Sequence, residues 1–375
     1  MQFRDLKAQY QSLKTEIDKG IADAIESTAF ILGKPVTELE NKLAEYVGRK
    51  HCIGVANGTD ALQLALMIWG IGPGDAVFTS DFTYFASAGS SSILGATPVL
   101  VDIDLATFNM SADALEKQIK KVISEGKLKP KAIVPVDLFG QPANYDMILP
   151  IAEKYGLKVL EDGAQGFGGN IRGKMACSFG DISTTSFFPA KPLGCYGDGG
   201  AIFTDDDEVD ARLRSLRAQG KSPVDKYDNR EIGMNSRLDT LQAAILLPKF
   251  KAFVDYELDA VNRVAQWYTE NLQDKYVTPT VLDGFVSSWA QYTILLENRE
   301  KRDDMQSYLK EQGIPSMVYY PRGLHQQEAY KWMDLSDDDY PNTIEATNCV
   351  LSLPMHPYLK EEEVSFICKT ILDKQ

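Results

Sequence analysis

The sequence is poor in the features that mark export, membrane insertion, metal capture or nucleic-acid binding. Its five cysteines, Cys52, Cys177, Cys195, Cys349 and Cys368, form no CxxC pair and no metal-ligand spacing, and an odd number makes a poor disulfide framework. A reducing cytoplasm is therefore the expected compartment, and no metal site is expected. The opening Met1-Gln2-Phe3-Arg4-Asp5 lacks the basic and then apolar layout of a secretory signal. The longest apolar stretch, residues 61–71, is interrupted by Gln63 and too short to span a bilayer, so no membrane partner is expected. Positive charge is short as well: 39 Lys and Arg stand against 53 Asp and Glu, a net charge of -14. That balance argues against a nucleic-acid partner, because counterion release rewards a basic face. It also means that an anionic substrate needs cations gathered locally against the global field. No repeats, low-complexity linkers, Walker pattern or GxGxxG after the first strand are present.

What remains is an ordinary globular composition, 44% hydrophobic and 25% charged over 375 residues, long enough for two closely packed units. From residue 51 to about 204, short β-rich runs (52–55, 77–79, 98–101, 132–136 and 158–160) alternate with helical stretches (60–69, 111–124 and 145–155). This βαβ alternation predicts an α/β fold with a mostly parallel sheet covered by helices. After about residue 237 the pattern predicts a long helix towards 273, kinked at Pro248. A smaller α/β unit is expected beyond it: strand 289–296, helix 301–312 stopped by Gly313-Ile314-Pro315, strand 316–320 and a C-terminal helix 359–372. The expected division is residues 1–240 and 241–375.

In such sheets ligands sit beyond the carboxyl ends of the strands, and those positions are rich in polar chemistry here. Lys191 stands out among them. It follows the aromatic run Ser186-Phe187-Phe188-Pro189-Ala190 and precedes Pro192 and the glycines Gly194, Gly197, Gly199 and Gly200, which let the backbone crowd a bound group. Either it is a solvated loop lysine or an amine that bonds an aldehyde, which requires a partly dry, polar pocket. Asn57-Gly58-Thr59-Asp60 lies at a strand-to-helix junction, where free amides suit a phosphate or merely need a cap. Asp162 ends the run Lys158-Val159-Leu160-Glu161-Asp162, where its carboxylate can keep a pyridine nitrogen protonated or cap the next helix. Tyr84 is either a stacking ring or a core aromatic, and Ser186 a phosphate donor or a plain strand serine. A phosphate, a flat ring, a ring nitrogen and an aldehyde together describe pyridoxal 5'-phosphate (PLP).

The chain closely resembles the DegT-type family of nucleotide-sugar aminotransferases, PLP-dependent enzymes of fold type I. The likeness runs essentially end to end through Phe30-Ile31-Leu32-Gly33, residues 55–62, Glu161-Asp162-Gly163-Ala164-Gln165, Gly180-Asp181, residues 186–200 and Gly233-Met234-Asn235-Ser236-Arg237-Leu238-Asp239. It implies Lys191 as the lysine that bonds the cofactor aldehyde and shuttles the proton, with Asp162 facing the ring nitrogen. Gln165 would lie beside the ring oxygen and Tyr84 on the ring, with Gly58, Thr59, Asp60 and Ser186 around the phosphate. Asn235 would reach the cofactor of a neighbouring subunit, so a homodimer would share its active sites. Two departures stand out: Gly163 replaces the Ala or Ser of many members, and Cys195 lies close behind the lysine. Some relatives carry His in place of this lysine and dehydrate sugars, so Lys191 favours amino transfer from L-glutamate to a keto-sugar nucleotide, for cell-surface polysaccharide.

Residues 227–237 and 319–325 look most like members that aminate carbon 3 of UDP-linked 3-keto-N-acetylglucosamine uronates. In that reading Arg230 pairs with the uronate carboxylate, while His325 and Tyr320 contact sugar or phosphate. The bland alternatives are surface ion pairing for Arg230 and a structural role for His325. The competing functions are amination of a 4-keto-6-deoxy sugar nucleotide and a non-catalytic regulator of the same fold.

Overall fold

Runs rich in β-branched residues, each followed by an amphipathic helix, build the central sheet of the computed structural model, which describes residues 1–225 and 227–374. Two helices, α1 (Leu6–Ser27) and α2 (Lys34–Val47), precede it. The strands are β1 (His51–Val55), β2 (Asp75–Ser80), β3 (Thr97–Val101), β4 (Lys129–Val134) and β5 (Lys158–Asp162). A small hairpin of β6 (Asn170–Ile171) and β7 (Lys174–Met175) intervenes before β8 (Ile182–Ser186) and β9 (Gly200–Thr204). The seven-stranded order is β1-β9-β8-β5-β4-β2-β3. Neighbouring pairs from β3 through β8 are parallel, and only β9 runs antiparallel, to both β8 and β1. The expected mostly parallel α/β sheet is thus present.

Crossovers run through α3 (Gly58–Ile68), α4 (Ala86–Ile93), α5 (Ala112–Glu125) and α6 (Tyr145–Tyr155), and α7 (Asp207–Leu216) follows β9. Ile53, Val55, Ala132, Leu160 and Ile202 are fully buried beneath them, against Leu64 of α3, so burial of these side chains fixes the register that presents the carboxyl end of every strand but β9 to one side.

Beyond residue 239 two helices, α8 (Thr240–Ala252) and α9 (Leu258–Leu272), are joined by the π-helical turn Phe253–Glu257. The expected kink at Pro248 is corrected: α8 continues through Pro248, and the irregular turn begins five residues later. Pro248 cannot donate to the carbonyl of Ala244. At that carbonyl α1 packs closely, for a Cβ on Gly20 would come 3.0 Å from its oxygen.

The last part of the chain contains β10 (Phe285–Val286), which adds to the β6–β7 hairpin, then β11 (Tyr292–Leu295) and β12 (Val350–Leu353). With α10 (Arg299–Glu311), α11 (Pro341–Cys349) and α12 (Glu361–Asp373), these enclose a second apolar core around Tyr268, Leu309, Leu353 and Ile367. The expected strand at 316–320 is also corrected. Only Met317 pairs there, with Ser352, and the partner of β11 is β12. Prolines 315 and 321 bracket the segment and remove ladder donors, and residues 318–320 turn to line the cleft described next.

Candidate active site

The carboxyl ends of β1, β2, β5 and β8 open into a cleft of about 610 Å³, closed on one side by Gln291, Val318, Tyr319 and Tyr320. That is the size expected of a pocket for a small molecule. Of the residues singled out in the sequence, Gly58, Thr59, Tyr84, Asp162, Gln165, Ser186, Lys191 and Tyr320 all line it.

One end is built for an anion. Asn57 caps α3, its Oδ1 accepting from the Asp60 amide at 2.8 Å, so the cap is neither Thr59 nor Asp60. The Gly58 and Thr59 amides at that helix start have no such side-chain acceptor among the described residues, and they face the cleft with the positive end of the helix dipole. A Cβ on Gly58 would fall 2.7 Å from the Ser186 Cβ, and one on Gly200 would fall 2.6 Å from the Asn57 carbonyl carbon. Glycine at both places brings helix start and serine hydroxyl together around one small volume. Asp60 is set back from the cleft wall.

At the other end Asp162 is buried. Its carboxylate accepts from Ser87 Oγ at 2.8 Å and from the Ala164 amide at 3.3 Å. Burial raises its pKa, while the Ser87 bond and the Lys191 charge pull it down. The strand beside it is stiffly built: Asp162 donates to the Pro135 carbonyl at 2.9 Å and Asp137 donates back to the Asp162 carbonyl at 3.1 Å. Asp137 itself accepts from the Ala143 amide and Tyr145 hydroxyl, each at 2.9 Å, and burial followed by the nearby Glu161 raises its pKa. Gln165 Oε1 accepts from the Phe139 amide at 2.8 Å. That bond leaves its NH2 as the free end, and it donates to the Tyr320 hydroxyl at 3.1 Å. Ser87 carried no signal of its own in the sequence, while Asp137-Leu138-Phe139-Gly140 showed only as one more polar strand end, without the supporting role it has here.

Lys191 is no solvated loop lysine. Its loop is tied at both ends, Phe187 to Gly199 and Cys195 to Phe187 through 2.8 Å backbone bonds, and burial lowers the amine's pKa against the raising pull of Asp162. Neither is Tyr84 a core aromatic: it is 60% exposed at the cleft mouth. Burial lifts Cys195 to about 11, which keeps it a neutral thiol. The five cysteines are free and buried.

Three residues stand elsewhere. Asn235 and Arg230 lie on the exposed strip between β9 and α8 and do not line this chain's own cleft. Arg230 makes no ion pair among the described residues. His325 is corrected from a sugar contact to a structural residue. It is 5% exposed, its Nδ1 faces Asp81 Oδ2 at 2.5 Å, its Nε2 faces Asp337 Oδ1 at 2.9 Å, and its ring stacks on Tyr340. With both nitrogens engaged, it has nothing left for a ligand.

An amine, a buried carboxylate and an amide cradle in one cleft fit a phosphorylated pyridine aldehyde. The sequence model of the DegT/DnrJ/EryC1/StrS aminotransferase family matches residues 11–372. The chain belongs to this family. It is 45% identical to the UDP-2-acetamido-2-deoxy-3-oxo-D-glucuronate aminotransferase of Pseudomonas aeruginosa over 99% of both chains. It is 43% identical to a Geobacillus stearothermophilus pleiotropic regulatory protein over 98% of this chain and 97% of the other. Among solved structures, a Brucella abortus aminotransferase of the family superposes with a TM-score of 0.96 at 47% identity, covering 99% and 98% of the two chains. DesV of S. venezuelae, solved in complex with a ketimine intermediate, gives 0.93 at 34% identity, covering 99% and 97%. Among the described residues no helix is long and apolar enough to cross a membrane, and no cluster could hold a metal ion.

Proposed function

We propose that the chain is a PLP-dependent aminotransferase that moves the amino group of L-glutamate to carbon 3 of a UDP-linked 3-keto-2-acetamido-glucuronate. The observation that carries this reading is the Lys191 amine and the Asp162 carboxylate facing one cleft in a chain 45% identical to an aminotransferase of that sugar class. PLP supplies an aldehyde that carries the amino group and a protonated ring that draws electrons from the reacting carbon. The protein does the rest. Gly58, Thr59 and Ser186, which line one end of the cleft, would hold the phosphate, and Tyr84 at the mouth would cover the ring. Asp162 would pair with the ring nitrogen, whose positive charge would offset the burial that raises the carboxyl. Lys191, its pKa lowered by burial against the pull of Asp162, would supply the amine that meets the aldehyde and would hold or move the proton at the reacting carbon. Gln165 and Tyr320 present fixed donors where the sugar meets the cofactor.

The substrate's carboxylate and pyrophosphate need cations, and the strip carrying Arg230 and Asn235 would bring them from a second subunit of a homodimer. The exposed apolar residues Val224, Tyr227 and Ile232 on that strip support such a contact. A regulatory role is the second reading, favoured by the 43% identical pleiotropic regulatory protein. Purified protein with PLP, L-glutamate and a panel of keto-sugar nucleotides separates the readings. Amino sugar formed from the UDP-linked 3-keto uronate but not from a dTDP-linked 4-keto-6-deoxy sugar is expected. Turnover of the 4-keto sugar alone would overturn the substrate, and no turnover of any would leave the regulator.

A further inference from the structure

The loop that carries Lys191 is also held from outside the cleft, by the third to fifth residues of the chain. Arg4 Nη2 donates to the Lys191 carbonyl at 2.8 Å and, at 3.4 Å, to that of Pro192. The segment around Arg4 is itself fixed: Asp5 accepts from the Ala8 amide at 2.8 Å as the cap of α1, and Met355 donates to the Phe3 carbonyl at 3.0 Å. Arg4 makes no ion pair among the described residues. The nearest acid acting on it, Glu257, already accepts from Gln9 and from the Tyr358 hydroxyl. Burial makes its charge costly and pushes it down to about 10, which still leaves it cationic at neutral pH. A half-buried arginine with no ion pair is costly to keep. Its position against the lysine's own carbonyl gives it a use.

We propose that Arg4 is a positioning residue for the Lys191 amine: its guanidinium ties down the main chain that bears the lysine and places a fixed positive charge behind the amine. This rests on the reading of Lys191 as the residue that bonds PLP. A lysine reacts with an aldehyde only as the free amine. Burial is the largest influence lowering the Lys191 pKa, the Asp162 carboxylate opposes it, and the Arg4 charge adds to the lowering. Around Arg4 stand Glu257, Tyr319, Lys249 and His356. Burial carries Lys249 down to about 8 and His356 to about 4, so near neutral pH His356 adds no charge, and Glu257 is the acid that moderates Arg4. Arg4 is thus the permanent cation of this group.

The test reads the visible absorption of the PLP-loaded protein against pH, for wild type, Arg4→Met, Arg4→Lys and Lys191→Ala. In Arg4→Met the midpoint of the lysine-dependent band is expected to rise by about one pH unit, because a like charge that disfavoured protonation is gone. Arg4→Lys keeps the charge and is expected to titrate close to wild type. An Arg4→Met midpoint equal to wild type overturns the proposal. If Arg4→Met retains no PLP, Arg4→Lys decides: a wild-type midpoint supports the charge role, and a midpoint about one pH unit higher overturns it. A wild-type protein whose visible band is unchanged by Lys191→Ala overturns the reading of Lys191 itself, a different outcome from either.

Discussion

The inner wall of the cleft and the strip between β9 and α8 are built on opposite plans. On the wall, Asp162, Gln165 and the 137–139 segment are buried, and each is held by at least one hydrogen bond to a neighbouring strand end or loop. On the strip, Ile232 is 88% exposed, Tyr227 83%, and Arg230 points to no acid among the described residues. The wall positions chemistry, which tolerates little displacement, and rigid strand ends supply it. The strip carries Arg230, which makes no ion pair among the described residues, and the exposed apolar side chains Val224 and Ile232. One chain therefore contains the whole of the candidate bond-making apparatus, while the groups suited to reading an anionic sugar await a second surface.

The contrast is broken most severely at Lys191. Lys191→Ala removes the amine and leaves the rest of the wall in place, and amino transfer is expected to fall at least about 10³-fold, since proton transfer alone contributes roughly 10²–10⁴. Normal amino-sugar formation by this variant would remove the wall from the chemistry. The strip should behave differently. Arg230→Ala is expected to raise the Michaelis constant for a uronate substrate about 10-fold or more, the value of a lost bidentate pair, and to leave kcat and the glutamate half-reaction nearly unchanged. Steady-state kinetics with uronate and 6-deoxy sugars checks this. An equal loss with both sugars would mean that Arg230 reads something other than the carboxylate.

The wall was legible in the sequence because a strand end announces itself: an apolar run stops at a polar residue, as at Asp162 and at Asn57, and the α/β pattern says which side it faces. Lys191 showed through its glycines for the same reason. What was not legible depends on partners far away in the chain. His325 meets Asp81 across 244 residues, and Arg4 meets Lys191 across 187, and no local pattern signals either bond. The Gly163 departure is of this kind too. A Cβ there would lie 2.5 Å from the Cys177 sulfur, so glycine at one place answers a cysteine at another. In the second unit, the β-rich look of residues 316–320 was genuine propensity, but flanking prolines and the demand to line the cleft won over pairing.

The smallest expected effect concerns the joint between the two regions' supports. His325 belongs to the segment that follows Tyr320, and Asp81 to the loop that leads from β2 to Tyr84, so their contact holds two cleft walls in register. Burial alone would lower the His325 pKa, but the hydrogen bonds and charges of Asp81 and Asp337 outweigh it and raise it. Asp81 is itself raised by burial, and Asp337 is lowered by His325 and Gln326. A histidine raised above its unfolded value of about 6.5 stabilises fully below that pH, and the contribution is lost as pH rises through the folded value. Wild type is therefore expected to melt about 1–1.5 °C above His325→Gln near pH 6.5, for roughly 1 kcal/mol in a chain of 375 residues, with the gap closing as pH is raised further. Below about pH 4 the gap should narrow again, as Asp337, held below the usual carboxylate range by His325, at last gains a proton. Thermal unfolding across this range checks the sign, and a gap that is constant with pH would mean that the imidazole acts by packing on Tyr340 and not by its charge.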